Sequence, residues 1–300
     1  MFGDWTLTYP SSTYAFGPPG RPVRLVSWTF AGDAYRAEDT QLADLDGILF
    51  GRDLVEAGEL TVDIRIDYSD RPLPAADRAR MAWAARQEFA RAWRGDEIRR
   101  SPLAVAMLNL GGEFAIEGRG RRVTWNDDRQ NRGIITGTAV FVPAGTGVFA
   151  VVDGGIPWRR VEVGLGAPTS GGWRFPLRFP LRNMNPAIRS TSFEVGGEAT
   201  VSPLVHVTGP IAAGASLQVG SAFEVVTNRR LAHDETAVAD GRHGHALLSV
   251  NGRPENWLAP SSAKLSSLRL TPGTYQIALR GISPEGTARA AIEWQEKKAS

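Results

Sequence analysis

Short segments of alternating apolar and polar residues dominate the first half of the chain. The clearest is Leu60–Tyr68, where every second residue is apolar. Because side chains in a strand alternate between its two faces, this segment is predicted to be a half-buried strand. Similar runs predict strands at Leu103–Leu110, Glu113–Glu117, Arg121–Trp125 and Gly133–Val142. The pair Gly111-Gly112 predicts a hairpin turn, and the glycine- and arginine-rich segment Gly118–Arg122 predicts a second hairpin tip.

One segment has a helical rather than a strand-like pattern. Pro74–Arg94 contains no glycine, begins with proline and is followed by Gly95, a typical stop signal. Apolar residues recur at intervals of four, at Met81, Ala85, Phe89 and Trp93, with arginine and aspartate around the rest. The pattern predicts an amphipathic helix over residues 75–94 whose aromatic side chains pack against a sheet.

The second half reads as a series of strands. Its strand-like runs are Trp173–Leu181, Ser192–Val195, Ala199–Val207, Ser216–Val226, Ala246–Val250, Lys264–Leu270, Thr274–Arg280 and Ala288–Trp294. Turns such as Asn251-Gly252 separate them, as in an antiparallel β-sandwich. A glycine- and proline-rich stretch between Asp153 and Gly172 marks a domain boundary. We therefore expect a mainly β protein with one helix and two domains, residues 1–160 and 161–300.

Composition narrows the class of protein. The 300 residues are 42% hydrophobic and carry a net charge of +2, without the basic stripe of a dedicated nucleic-acid binder. The chain has no cysteine, which excludes disulfides, thiolate metal sites and a cysteine nucleophile. It has no signal-peptide pattern and no apolar run long enough to span a membrane. We therefore expect a protein made in the cytoplasm, without membrane insertion or sequence-specific nucleic-acid binding.

Candidate catalytic residues do not form a recognised motif. His233, His243 and His245 lie in a loop-like stretch, but without the spacing of a known metal site. The acidic pairs Asp127-Asp128 and Asp44/Asp46 could serve a glycosidase, although adjacent aspartates are more typical of turns. There is no serine nucleophile elbow and no phosphate-binding loop. The expectation is a protein that is not an enzyme and needs no metal or cofactor.

The tryptophan content of the chain suggests an alternative function, carbohydrate binding. The chain contains nine tryptophans, and Trp173 and Trp257 lie in the sandwich half. An exposed indole ring on a sandwich can stack on a sugar, whereas a buried one packs in the core. Trp173 and Trp257 are thus the candidate glycan contacts of an alternative hypothesis, a carbohydrate-binding or host-surface-binding module.

The succession of segments resembles the distal tail proteins of long, flexible-tailed bacteriophages, often called minor tail proteins in phages of actinobacteria. The resembling segments in the first half are Asp46–Ser69, with its GxxFGxD approach to a long strand, Phe89–Arg94, Ile98–Leu110, Arg119–Thr124 and Gly137–Pro143. Those in the second half are Gly197–Gly209, Leu247–Arg253, Leu265–Gly281 and Thr287–Trp294. Segments Gly147–Ile156 and Trp173–Arg182 depart from the pattern, which leaves the connection between the halves undefined.

The resemblance implies a specific architecture and role. In such proteins the N-terminal β-rich belt domain forms a ring of six copies, and a galectin-like sandwich projects from it. The ring lies at the distal end of the tail of the virion, where it joins the tail tube to the hub or tip protein. The implied partners are further copies of the chain, the tail tube protein, the tape measure protein, the hub protein and, under the alternative hypothesis, a host cell-surface glycan.

Overall fold

The computed structural model describes residues 4–18, 20–32, 58–101, 104–127, 129–152, 155–165, 190–242 and 247–298, together with the backbone of four short strands between 34 and 56. The chain is mostly β with one long helix, as the sequence predicts. Its contacts divide it into two units, residues 1–156 with 298–300, and residues 157–297.

Unit 1 is an antiparallel sheet with a helix. Its strands are β1 (Trp5–Thr8), β2 (Thr13–Phe16), β3 (Val23–Ala31), β4 (Ala34–Arg36), β5 (Thr40–Gln41), β6 (Ile48–Leu49), β7 (Leu54–Glu56), β8 (Glu59–Asp67), β9 (Ala106–Leu110), β10 (Phe114–Asn126), β11 (Ile134–Pro143) and β12 (Val148–Ala150). The main sheet has the order β2-β1-β9-β10-β11-β8-β3, with β12 also paired to β10. A parallel bridge between Gly17 and Arg24 joins its two ends, so the sheet curls back on itself.

The long helix, α1 (Ala75–Arg94), packs on this sheet and is followed by the short α2 (Asp96–Arg99). Gly95 ends α1 in the left-handed conformation, with φ of 59°, and its N–H donates to the Arg91 carbonyl at 3.3 Å. Phe89 and Trp93 pack against Phe16 and Phe141, on the same core as the buried face of β8. The aromatic side chains of α1 therefore pack against the sheet, as predicted from the sequence.

Met81 departs from the predicted apolar stripe. The buried residues of α1 are Ala82, Ala85, Phe89 and Trp93, whereas Met81 is 39% exposed. Because a helix has 3.6 residues per turn, each step of four residues advances the side chain by about 40° around the axis. Three such steps separate Met81 from Trp93, which takes Met81 off the buried face.

The predicted hairpin tip at Gly118–Arg122 is wrong, because these residues lie inside the continuous strand β10. A β-bulge between Gly120 and Val123 interrupts the pairing with β11 without breaking the strand. A side chain at position 120 would collide with the Trp93 carbonyl oxygen and would place its Cβ 2.9 Å from Trp93 Cδ1. Glycine is thus required here by the close approach of α1 and not by a turn. The turn predicted at Gly111-Gly112 does join β9 to β10, with both residues at positive φ.

Unit 2 is an antiparallel β-sandwich. Its strands are β13 (Trp158–Gly164), β14 (Ser190–Val195), β15 (Leu204–Thr208), β16 (Ser216–Val219), β17 (Phe223–Val226), β18 (Thr236–Asp240), β19 (Leu247–Val250), β20 (Arg253–Pro254), β21 (Gly273–Arg280) and β22 (Arg289–Gln295). The last described strand is β23 (Lys297–Lys298). One sheet has the order β13-β22-β15-β18-β19-β20, the other β14-β21-β16-β17, and both contribute to one apolar core.

Parts of unit 2 differ from the sequence interpretation. Lys264–Leu270 is not a strand, because Leu265–Ser267 form a 3-10 turn that places Leu268 and Leu270 in the core. Thr236–Asp240, assigned to a loop, is a strand between β15 and β19 whose Ala237 and Ala239 are buried. Alternation of two small residues gives too weak a signal to predict such a strand. The predicted strand Trp173–Leu181 lies outside the described residues.

Candidate functional site

The two candidate glycan contacts have different outcomes. Trp257 is fully buried in the core of unit 2, and its indole N–H donates to the Val238 carbonyl at 3.0 Å. This arrangement corrects its interpretation as a sugar-stacking platform, since neither face of the ring reaches the surface. Trp173 lies outside the described residues.

The residues considered for metal or acid chemistry are not brought together in the described part of the chain. His233 pairs with Glu285 at 3.1 Å, and both side chains are exposed. Asp127 forms an ion pair with Arg86, while His243, His245, Asp44, Asp46 and Asp128 lie outside the described residues. Within the described ranges, no group of three His, Asp or Glu side chains could hold a metal ion. No helix among these residues is long and apolar enough to cross a membrane.

The most distinctive surface feature of unit 1 is a groove of about 480 Å³ between α1 and β10, here called the basic groove. Five arginines line it, namely Arg86, Arg91, Arg94, Arg99 and Arg121, and no acidic side chain is among its described lining residues. Trp83 and Trp125 complete its apolar wall. Such a concentration of one sign of charge in a concave surface attracts an acidic partner.

Arg86 is held in place at the wall of the groove. Its guanidinium lies 4.5 Å from the centre of the Trp83 ring and 5.3 Å from that of Trp125, and it pairs with Asp127. A guanidinium over an indole face is a favourable cation–π arrangement. The three interactions make Arg86 a structural part of the groove.

The other arginines of the basic groove are more available for ion pairs with a binding partner. Arg94 pairs with Asp96 at 2.7 Å in an exposed ion pair, and Arg99 Nε donates to the Arg94 carbonyl at 2.6 Å. Arg91 and Arg121 are exposed and make no ion pair with any residue that the structure describes. Exposed cations without a partner of their own can pair with an incoming anionic surface.

A second concave surface lies along the opposite flank of α1, with a volume of about 340 Å³, here called the acidic hollow. Its charged lining is Glu88, Asp96 and Glu97, with Arg91 at the border between the two surfaces. Glu97 accepts a hydrogen bond from the Ser11 N–H at 2.9 Å, which ties the β1–β2 turn to α2. Glu88 is exposed and has no ion pair within the described part of the chain.

Tyr9 forms the floor of the acidic hollow and connects β1 to α1. Its hydroxyl donates to the Ala92 carbonyl at 2.6 Å, and its ring packs beneath Gly95. Burial is the main cause that raises the pKa of Tyr9 from 10.0 to about 12. Burial also raises the pKa of Tyr14 in the same hollow.

We expect unit 1 to lose stability as the pH rises from about 10 to about 12. The folded state holds the Tyr9 proton more tightly than the unfolded chain does, so this stabilisation is complete below pH 10 and disappears above the folded pKa. Y9F removes the titrating group, so the variant should start about 1 kcal/mol less stable from the lost hydrogen bond and then fall less steeply. Urea unfolding of the wild type and of Y9F at pH 9, 10, 11 and 12 measures how steeply the free energy of unfolding of each protein falls with pH. Equal slopes for the two proteins would contradict the assignment to Tyr9.

Neither the basic groove nor the acidic hollow was predicted from the sequence. From the sequence, the arginines of α1 are interpreted as the solvent-exposed face of an amphipathic helix, which is the usual role of such residues. Their one available signal is that Arg86, Ala90 and Arg94 share a flank of the helix. Arg121 reaches the same groove only because β10 passes beside α1.

Comparison with known proteins bears on the fold. No protein-family model matches the chain, and no curated protein sequence matches it. Two structures of the phage P2 baseplate in its activated conformation, with Ca and with Sr, match at 8% identity and a TM-score of 0.48, covering 98% and 97% of each chain. That similarity is too low to support an argument.

A further match is stronger. The crystal structure of the SPP1 Dit (gp 19.1) protein, described as a paradigm of the hub adsorption apparatus in phages that infect Gram-positive bacteria, matches with a TM-score of 0.60 over 98% of both chains. The sequence identity is 13%, so the likeness concerns the fold. The chain thus has the fold of the SPP1 Dit protein over nearly its whole length.

Proposed function

We propose that the chain is a structural protein of the tip of a bacteriophage tail. In this proposal six copies form a ring at the distal end of the tail, and the ring joins the tail tube to the hub and host-recognition apparatus. The protein acts by assembly, without catalysis and without a cofactor. Its partners are its own copies, the tail tube protein, the tape measure protein and the hub protein.

The observation that carries the proposal is the fold match to the SPP1 Dit protein over nearly the whole length of both chains. A fold alone does not define a function. Here it agrees with a resemblance drawn independently from the order of sequence segments in both halves. It also agrees with a surface whose distinctive features are concave and charged, as expected of a protein that binds other proteins.

The two units divide this role. Unit 1 is proposed as the belt domain that forms the ring, and unit 2 as a galectin-like sandwich carried on its outside. A ring of identical copies requires two different surfaces on each protomer, one contacting the preceding copy and one the following copy. The basic groove and the acidic hollow are two different charged surfaces of unit 1, which supports this assignment.

The mass of the purified protein tests the proposal. Native mass spectrometry of the 32.4 kDa chain is expected to show a species near six times the monomer mass, and electron microscopy to show a ring with a central pore. The measurement is repeated with tail tube protein added, since a ring can require a template. A monomer in both conditions, with no binding to the tube protein, would contradict the proposal.

Glycan binding is not proposed as a second function. Of the two tryptophans that motivated it, Trp257 belongs to the core and Trp173 lies outside the described residues.

A further inference from the structure

We infer that the basic groove of one protomer receives the acidic hollow of the next copy of the same chain. The inference rests on the proposed ring and specifies its interface: Arg121 in the basic groove of one copy faces Glu88 in the acidic hollow of its neighbour. The contact is heterologous, so each protomer uses both surfaces at once.

The opposite charges of the basic groove and the acidic hollow favour a second copy of the chain as the occupant of the groove. Five arginines line the groove, whereas the hollow has three acidic side chains beside Arg91, which borders both surfaces. Within the described part of a single chain, Arg121 in the groove and Glu88 in the hollow are exposed and have no ion pair. A partner copy would pair these charges, and Trp83, which is 41% exposed, would gain apolar cover at the same contact.

The position of the two surfaces on α1 favours a ring over a closed pair. Successive residues of a helix are separated by about 100° around its axis, so the flank of Arg86, Ala90 and Arg94 points away from that of Glu88 and Ala92. One copy can therefore offer its groove to one neighbour and its hollow to another. Repeating the contact adds copies in one rotational direction, which is how cyclic assemblies close.

Disulfide trapping tests the contact directly, because the chain contains no cysteine of its own. E88C and R121C are prepared separately, one with a mass tag, and mixed at equal concentration under mild oxidation. The mixture is expected to form the tagged heterodimer in several-fold excess over the homodimers of each variant alone. T124C, on the same strand β10 as Arg121, replaces R121C as the matched control.

The double variant E88C/R121C separates the two geometries. A heterologous contact joins three or more chains and gives a ladder of covalent species up to six. A ladder that stops at two chains would indicate a two-fold pair and would overturn the inference. Equal cross-linking of E88C with R121C and with T124C would overturn it as well, whether the true occupant of the groove is a nucleic acid or another protein.

Charge reversal separates this inference from the proposed function. E88R and R121E should each raise the protomer concentration needed for half-assembly by ~10-fold or more in low salt, because each places like charges in contact. An equal mixture should recover assembly, since alternating copies restore opposite charges at every contact. If the wild-type chain forms rings and neither reversal weakens them, the proposed function stands and the inferred interface is wrong. If no ring forms with or without the tube protein, and no heterodimer is trapped, both are wrong.

Discussion

Replacing Trp93 by alanine is expected to lower the free energy of unfolding of unit 1 by about 3–5 kcal/mol, the range for removing a large aromatic side chain from a core. Trp93 is 1% exposed, stacks on Phe89 at 5.4 Å and packs edge-on against Phe16 and Phe141. Its indole N–H donates to the Val140 carbonyl at 3.1 Å. The variant would therefore leave both a cavity and a buried acceptor without its donor.

A urea titration followed by hydrogen exchange and mass spectrometry measures this loss peptide by peptide. Unit 1 is expected to unfold at ~2 M less urea, from a loss near 4 kcal/mol and a denaturant slope near 2 kcal/mol per molar. W83A is the matched control, because Trp83 lies on the same helix and is 41% exposed. It should cost ~1 kcal/mol or less. A similar loss in both variants would mean that α1 does not pack on the sheet through Trp93.

Replacing Trp257 by alanine is expected to destabilise unit 2 by a similar amount, about 3–5 kcal/mol. The side chain is fully buried, and its indole N–H bonds to the Val238 carbonyl of β18. The same titration should show the loss in peptides from residues 190–298. W257F, which keeps most of the buried ring but not the donor, should lose less, about 1–3 kcal/mol.

W158A provides the exposed counterpart in unit 2. Trp158 is 45% exposed at the start of β13, with the Arg242 guanidinium 5.1 Å from the centre of its ring. We expect a change of ~1 kcal/mol or less. A W257A variant as stable as the wild type would contradict the core role of Trp257 and would reopen the sugar-binding hypothesis. If W257A is destabilised as expected, a loss of glycan binding by this variant would follow from unfolding and would not identify Trp257 as a glycan contact.

The sequence predicted those strands and helices whose apolar residues repeat regularly along a single segment of the chain. The alternation at Leu60–Tyr68 became β8, and the helix predicted over residues 75–94 was found with those bounds, from Pro74 before it to Gly95 after it. In both cases one face of the element is apolar over several turns or pleats, so burial of that face agrees with the intrinsic preference of the backbone. The mainly β class and the succession of segments that resembles distal tail proteins came from the same kind of signal.

Features that depend on long-range pairing did not follow from these patterns. Gly118 and Gly120 resembled a hairpin tip because the sequence does not show that β11 lies close against Gly118 or that Trp93 of α1 lies close against Gly120. Trp257 read as a candidate surface residue because exposure depends on which strands cover it. The basic groove combines arginines from α1 and α2 with Arg121 of β10, and the acidic hollow combines Glu88 with the β1–β2 turn. Both surfaces exist because sheet register and helix docking bring distant segments together, and single-sequence periodicity carries no information on either.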